Sequence, residues 1–194
     1  DDCNIYVRSR GAGQRVMTSV TRFLARRLKL KVNEAKSAVA RPETRKFLGF
    51  SFSNNKEPKR RISPKALLRC KQKIRELTRR TREISLKQMT KELAAYLQGW
   101  KNYFGFCQMP SLLQQLDKWI RHRLRSMIWK QWKRGKQRRY AKLRQLGVGK
   151  ALAAQTASSP HGPGRMAKSP ALSIALPLAY FDSLGLPRLF DGLA

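Results

Sequence analysis

Acidic side chains are scarce in this chain. Its 194 residues include 11 Asp and Glu against 43 Lys and Arg, a formal charge of +32 with a pI near 11.4. So large an excess repels itself on folding and points to a polyanionic partner. Nucleic acid is the first class of partner and an anionic membrane surface the second. Long apolar runs are also missing. None approaches the ~20 residues of a bilayer span, and no signal-peptide pattern opens the sequence, so no membrane partner is expected. Cysteine is limited to Cys3, Cys70 and Cys107, far apart and in no C-x-x-C pair. That excludes a disulfide framework and fits a reducing interior. The two histidines, His122 and His161, stand in no metal-ligand spacing, so no zinc site is expected.

What is present is an ordinary apolar content of 41%, enough for one to two domains with their own core. The charge is unevenly placed. Residues 151–194 hold Arg165, Lys168 and Arg188 against Asp182 and Asp191, so nearly all of the excess lies in residues 1–150. The last quarter of the chain is a different kind of surface.

Residues 3–8 alternate, with Cys3, Ile5 and Val7 on one face, and predict a half-buried strand. Gly11 and Gly13 predict a turn. A helix over about 14–30 follows, with Val16, Met17, Val20, Phe23, Leu24 and Leu28 as its stripe. Residues 37–40 and 46–52 read as short strands, and 54–61 as a polar, basic loop. The pattern then changes to long helices. Ser63-Pro64 is a cap followed by proline at the first helical position, and Leu67, Cys70, Ile74 and Leu77 form a stripe. Ser85-x-x-Gln88 and Ser111-x-x-Gln114 are capping boxes. The second long helix buries Leu86, Met89, Leu93, Leu97, Trp100 and Phe104, and the third buries Leu113, Leu116, Ile120, Leu124 and Met127. Three amphipathic helices on short turns make a bundle. Gly135 marks the end of the third. Short helices at 140–146 and 150–156, a loop at 158–164 and a last helix from Ser169-Pro170 to before Pro177 complete the reading.

The third long helix carries Lys118, Arg121 and Arg125 at i, i+3 and i+7, off its apolar stripe, and Arg123, Lys130, Lys133 and Arg134 extend the charge. On the first, Arg69, Lys73, Arg79 and Arg80 do the same, with few Glu partners at i±4. An apolar seam backed by a cationic face suits a rod that tracks phosphates. Trp129 and Trp132 offer stacking platforms, whereas Trp100 and Trp119 read as core.

Asp1-Asp2 precedes the alternating segment. Paired carboxylates at a turn before a strand are one way to hold Mg²⁺ against phosphate oxygens. Asp1-Asp2-Cys3-Asn4-Ile5-Tyr6-Val7, then Leu30-Lys31-Val32-Asn33-Glu34-Ala35-Lys36, then Arg45-Lys46-Phe47-Leu48-Gly49-Phe50 resembles the end of the reverse transcriptase palm in group II intron-encoded proteins. Tyr96-Leu97-Gln98-Gly99-Trp100 and Leu116-Asp117-Lys118-Trp119-Ile120-Arg121-His122-Arg123 resemble that family's maturase-specific thumb, the X domain. Ser169-Pro170-Ala171-Leu172 and the segment from Ala179-Tyr180-Phe181 to Gly185-Leu186 are similar to its small DNA-binding region. Gly164 and Leu178 depart from the family, where an aromatic and Asn are usual, which suggests a degenerate or fragmentary copy.

The resemblance implies roles. Asp1 and Asp2 would be catalytic Mg²⁺ ligands, Lys36 would sit near the nucleotide phosphates, and Phe47, Leu48, Gly49 and Phe50 would form the primer grip. Arg165 and Lys168 would join the helical cations in binding nucleic acid. The partners would be group II intron RNA, the RNA/DNA template–primer duplex and target DNA, in a bacterial cytoplasm or on the nucleoid. With one metal ligand and the fingers outside this sequence, the chain alone is expected to hold no Mg²⁺ and to lack polymerase activity. The expected fold is α+β and mostly α. A palm remnant at 1–62 has short antiparallel strands and one helix. A three-helix thumb at 63–135 and a small helical module at 136–194 follow. A small basic structural RNA-binding protein without polymerase ancestry is the alternative; it gives no reason for Asp-Asp, Phe-Leu-Gly-Phe and Tyr-x-x-Gly-Trp in that order.

Overall fold

The computed structural model describes residues 3–79, 81–132 and 135–190. It is mostly helical with one two-stranded antiparallel sheet, an α+β chain dominated by α. It divides into two compact units, residues 1–66 and 67–194.

In the first unit, residues 3–7 are extended but form no strand, and each is exposed. The alternation was real but alternation gives a face, not a partner; no described segment pairs with it. Helix α1 spans Arg10–Arg27 and begins earlier than its apolar stripe suggested. Ser9 caps it, its Oγ accepting from the Ala12 amide at 3.2 Å. Gly11 and Gly13 therefore lie inside a helix. Gly13 is needed for a different reason than a turn: a Cβ there would come within 2.6 Å of Val39 Cγ1. Phe23 and Leu28, expected on the buried stripe, are more than half exposed, at 55% and 53%.

Residues 37–40 form no strand either. The sheet is a hairpin of β1, Phe50–Phe52, and β2, Arg60–Ile62, in register Phe50 to Ile62 and Phe52 to Arg60. The last two residues of the supposed loop 54–61 thus enter a strand. Its basic residues hid it, since Arg60 and Arg61 are exposed and only Ile62 is buried. Tyr6 stands edge-on to Phe52, ring centres 6.1 Å apart.

Helix α2, Pro64–Leu77, starts where the Ser-Pro signal placed it, with Ser63 Oγ accepting from the Ala66 amide at 3.3 Å. The second unit is built on α2, α3 (Leu86–Phe104) and α4 (Pro110–Gln131). Its seam is close to the expected one: Cys70 and Ile74 from α2, Met89, Leu93, Leu97 and Trp100 from α3, and Leu113, Leu116, Ile120, Leu124 and Met127 from α4 are buried. Each leucine of this set is worth about 1.5–3 kcal/mol of burial. Ser85 caps α3, accepting from the Gln88 amide at 3.1 Å, but the Gln88 side chain turns to Glu92 instead of closing the box. At α4 the box does not form. Pro110 takes the first turn, Met109 is the flanking residue and no side chain caps it. Proline's fixed φ and missing N–H suit that position, which displaces Ser111 into the helix.

Trp129 is 1% exposed and belongs to the core, which corrects its reading as a platform. Gly135, at φ 96°, leads into α5, Lys136–Gln145, and α6 spans Lys150–Ala157. Two further short helices were not foreseen: α7, Pro163–Met166, and α9, Leu178–Ser183, on either side of α8, Pro170–Ala175. α5 packs on α6, α4 on α7, and both α5 and α6 on α8. Among the described residues no helix is long and apolar enough to cross a membrane.

Candidate nucleic-acid interface

The C-terminal end of α2 is where the cations gather. A helix end exposes carbonyls that carry partial negative charge. Here two arginines from elsewhere in the unit cover them. Arg123, on α4, donates from Nε to Thr78 Oγ1 at 2.7 Å and lies 3.4 Å from the carbonyls of Arg75 and Thr78. Thr78, buried, passes its own proton to the Ile74 carbonyl at 2.6 Å. Arg82 donates to the Leu77 carbonyl at 2.9 Å and to Glu92 on α3 at 2.7 Å. The turn between α2 and α3 is thereby tied to both helices.

Trp119, one turn before Arg123 on α4, has two guanidinium groups over its ring. Arg75 and Arg123 sit 5.6 Å and 5.4 Å from its ring centre, in the range of cation–π attraction. Trp119 is half-buried, so the core assignment holds in part. Beside this stack lies a concavity of about 490 Å³ lined by Arg75, Arg79, Thr81, Arg123, Lys130 and Pro163. Among the described residues, those that line it include no carboxylate.

The cations predicted as one stripe on α4 divide between two tasks. Lys118 is exposed. Arg125 grips the last carbonyl of the α8 turn, donating from both Nε and a terminal nitrogen to Leu176 O at 3.1 and 2.9 Å. Arg121 is half-buried beside Asp117. Burial lowers the pKa of both arginines, yet arginine stays charged in proteins. Asp117 is itself buried and accepts from the amides of Leu189 at 3.1 Å and Phe190 at 3.2 Å. This arc of α4 anchors residues 176 and 189–190, whereas the sequence reading had given Arg121 and Arg125 to a phosphate-binding face.

On α2, Arg69 is exposed and Lys73 pairs with Glu76 at 3.3 Å. Arg165 and Lys168 are exposed near α7. His122 Nε2 lies 3.0 Å from the Gly164 carbonyl, which requires the proton on that nitrogen. A Cβ at Gly164 would meet nothing within 4 Å, so the glycine leaves no hole at that point. Trp132 is half-buried, its ring 5.9 Å from Trp129, and Arg139 lies 4.7 Å over the Trp129 ring. Arg80, Lys133 and Arg134 lie outside the described residues.

Sequence reasoning missed Arg75, Thr81 and Arg139. Arg75 and Arg79 are four apart on α2, and Trp119 and Arg123 four apart on α4; that spacing places each pair on one face and was the available signal.

In the first unit Lys36 is exposed, its amide donating to Asn33 Oδ1 at 3.2 Å. The Asn-x-x-Lys spacing thus closes a turn. Phe47 and Phe50 exchange both backbone hydrogen bonds, at 2.9 and 2.8 Å, around Leu48 at φ 49° and Gly49 at φ 80°. That is a two-residue hairpin of the kind with positive φ at both central positions. It leaves Leu48 65% exposed at its tip. Asp1 and Asp2 lie outside the described residues. Among the described ones no three of His, Cys, Asp and Glu come together to hold a metal.

Residues 67–147 match the family described as group II intron, maturase-specific domain. Over those residues the chain is similar to that family. The match begins at the start of the second unit and covers α2 from Leu67, α3, α4 and α5, with every pocket residue except Pro163. A search of curated proteins finds no match.

Proposed function

We propose that this chain binds group II intron RNA and assists its splicing by favouring the folded intron. The observation that carries the reading is the match of residues 67–147 to the maturase-specific domain, where α2 and α4 present arginines and a lysine around one pocket. The intron is the catalyst in such a system. The protein shifts the folding of the RNA by binding the folded state more tightly than the unfolded one, and no side-chain chemistry is required. On this reading residues 1–62 are the end of a reverse transcriptase palm, the three long helices its thumb, and residues 136–194 a small DNA-binding region. In the full-length family the same chain copies intron RNA into DNA with Mg²⁺ on aspartates such as Asp1 and Asp2. Phe47–Phe50 would then serve as primer grip and Lys36 as a phosphate neighbour.

The test is filter binding of intron RNA against an unrelated structured RNA of the same length, at several salt concentrations. If about six phosphates are neutralised, log K falls with log salt at a slope of roughly −4 on single strands. Intron RNA binds more tightly throughout. Equal affinity for the two RNAs removes the maturase reading, and a flat salt response removes phosphate binding altogether.

A further inference from the structure

The pocket at the end of α2 differs from the rest of the basic surface in shape. The concavity lined by Arg15 and Arg22 lies along α1 alone. Here cations converge from two places around a concavity, Arg75 and Arg79 from α2 and the residues after it and Arg123 and Lys130 from α4, with Thr81 of the turn and Pro163 of α7 completing the wall. Like charges held around an empty space are mutually repelled. They are stabilised when a polyanion fills the space.

Two features prepare the site for an anion. The end of a helix ordinarily repels negative charge, because its last carbonyls are unpaired. At α2 those of Arg75, Leu77 and Thr78 already accept from Arg123 and Arg82. Second, Arg75 and Arg123 are braced against the ring of Trp119, which fixes their planes before any ligand arrives. A preorganised arginine gives up less side-chain entropy per hydrogen bond than a free one.

We infer that this pocket, between the end of α2, α4 and α7, is a site for adjacent phosphates at a sharp turn of an RNA strand, such as a bulge. A straight duplex presents its phosphates on a convex cylinder and meets only the rim. At a bend, phosphates project from the helix and enter the concavity, where cations approach from two sides. The inference rests on the RNA-binding reading and adds to it the place and the RNA shape.

The test compares two RNA duplexes of equal length, one straight and one with a central bulge. Three proteins are used: the whole chain, the R79A/K130A double variant and a K87A/K91A double variant. Lys87 and Lys91 are exposed on α3 and do not line this pocket, so the two variants lose equal charge. Circular dichroism checks that each folds. For the unaltered chain the slope of log K against log salt is steeper on the bulged duplex by about 1.4, two phosphates at roughly 0.7 each. R79A/K130A abolishes that difference and K87A/K91A retains it. Equal losses for the two variants on both duplexes overturn the pocket while leaving RNA binding in place. An unaltered chain that binds neither duplex overturns the RNA reading and the pocket together.

Discussion

Single residues in the second unit do more for the fold than their types suggest. Asp117 is a buried carboxylate whose oxygens take the amides of Leu189 and Phe190. Replacing it with alanine leaves two N–H groups unpaired, at about 1–3 kcal/mol for each one kept from water. Asp117→Ala is expected to lower the urea midpoint and to make residues 186–190 a site of early proteolysis. An unchanged midpoint would show that the anchor contributes nothing. Cys70 is the second case. Burial pushes its thiol up to about 11 from an ordinary 9.0, against the lowering effects of a Tyr96 hydrogen bond and of Lys71. The folded state holds that proton longer than the unfolded one, so its contribution is complete below pH 9.0 and is lost as pH rises toward about 11. At pH 8 the exposed Cys3 is expected to alkylate quickly and Cys70 only after denaturation. Rapid labelling of Cys70 by intact-mass spectrometry under native conditions would contradict its burial.

At the scale of elements, the helices were written in the sequence and their ends mostly so. Ser63, Ser85 and Ser169 each accept an amide in the first turn of the helix they precede. Ser111 matches the same pattern and caps nothing, because Pro110 claims the first helical position. Ser85→Ala is therefore expected to cost about 1 kcal/mol, and Ser111→Ala to change stability far less. Thermal unfolding of the two variants checks the contrast; equal losses would mean that the cap on α3 is unimportant. The strands were less legible. A strand of three residues such as Arg60–Ile62 has too few positions to show alternation. Residues 3–7 alternate without a neighbour to pair with among the described residues. The hairpin tip at Leu48-Gly49 is defined by positive φ at both residues, and Leu-Gly does not advertise that as Asn-Gly would.

For the whole molecule, burial is concentrated in the second unit. Among the described residues of the first unit only Gly13, Ile62 and Ser63 are buried. Amide protection is therefore expected to be strongest across α2–α4 and weaker through residues 3–60, measured by hydrogen exchange with mass spectrometry. Strong protection spread evenly over both would show that the first unit holds a core the burial pattern does not account for. The sequence alone determined the charge excess, the apolar seam of the long helices and the serine caps of α2 and α3. All of these follow from composition and from neighbours three or four positions away. Only the tertiary structure decided which cations are available to a ligand. Helical periodicity places Lys118, Arg121, Arg123 and Arg125 around one rod. Which arc is covered depends on partners far along the chain: Thr78 lies 45 residues from Arg123, Leu176 lies 51 from Arg125, and Leu189 lies 72 from Asp117. No local pattern encodes contacts at such separations, because packing of the folded chain, and not the helical repeat, brings those residues together.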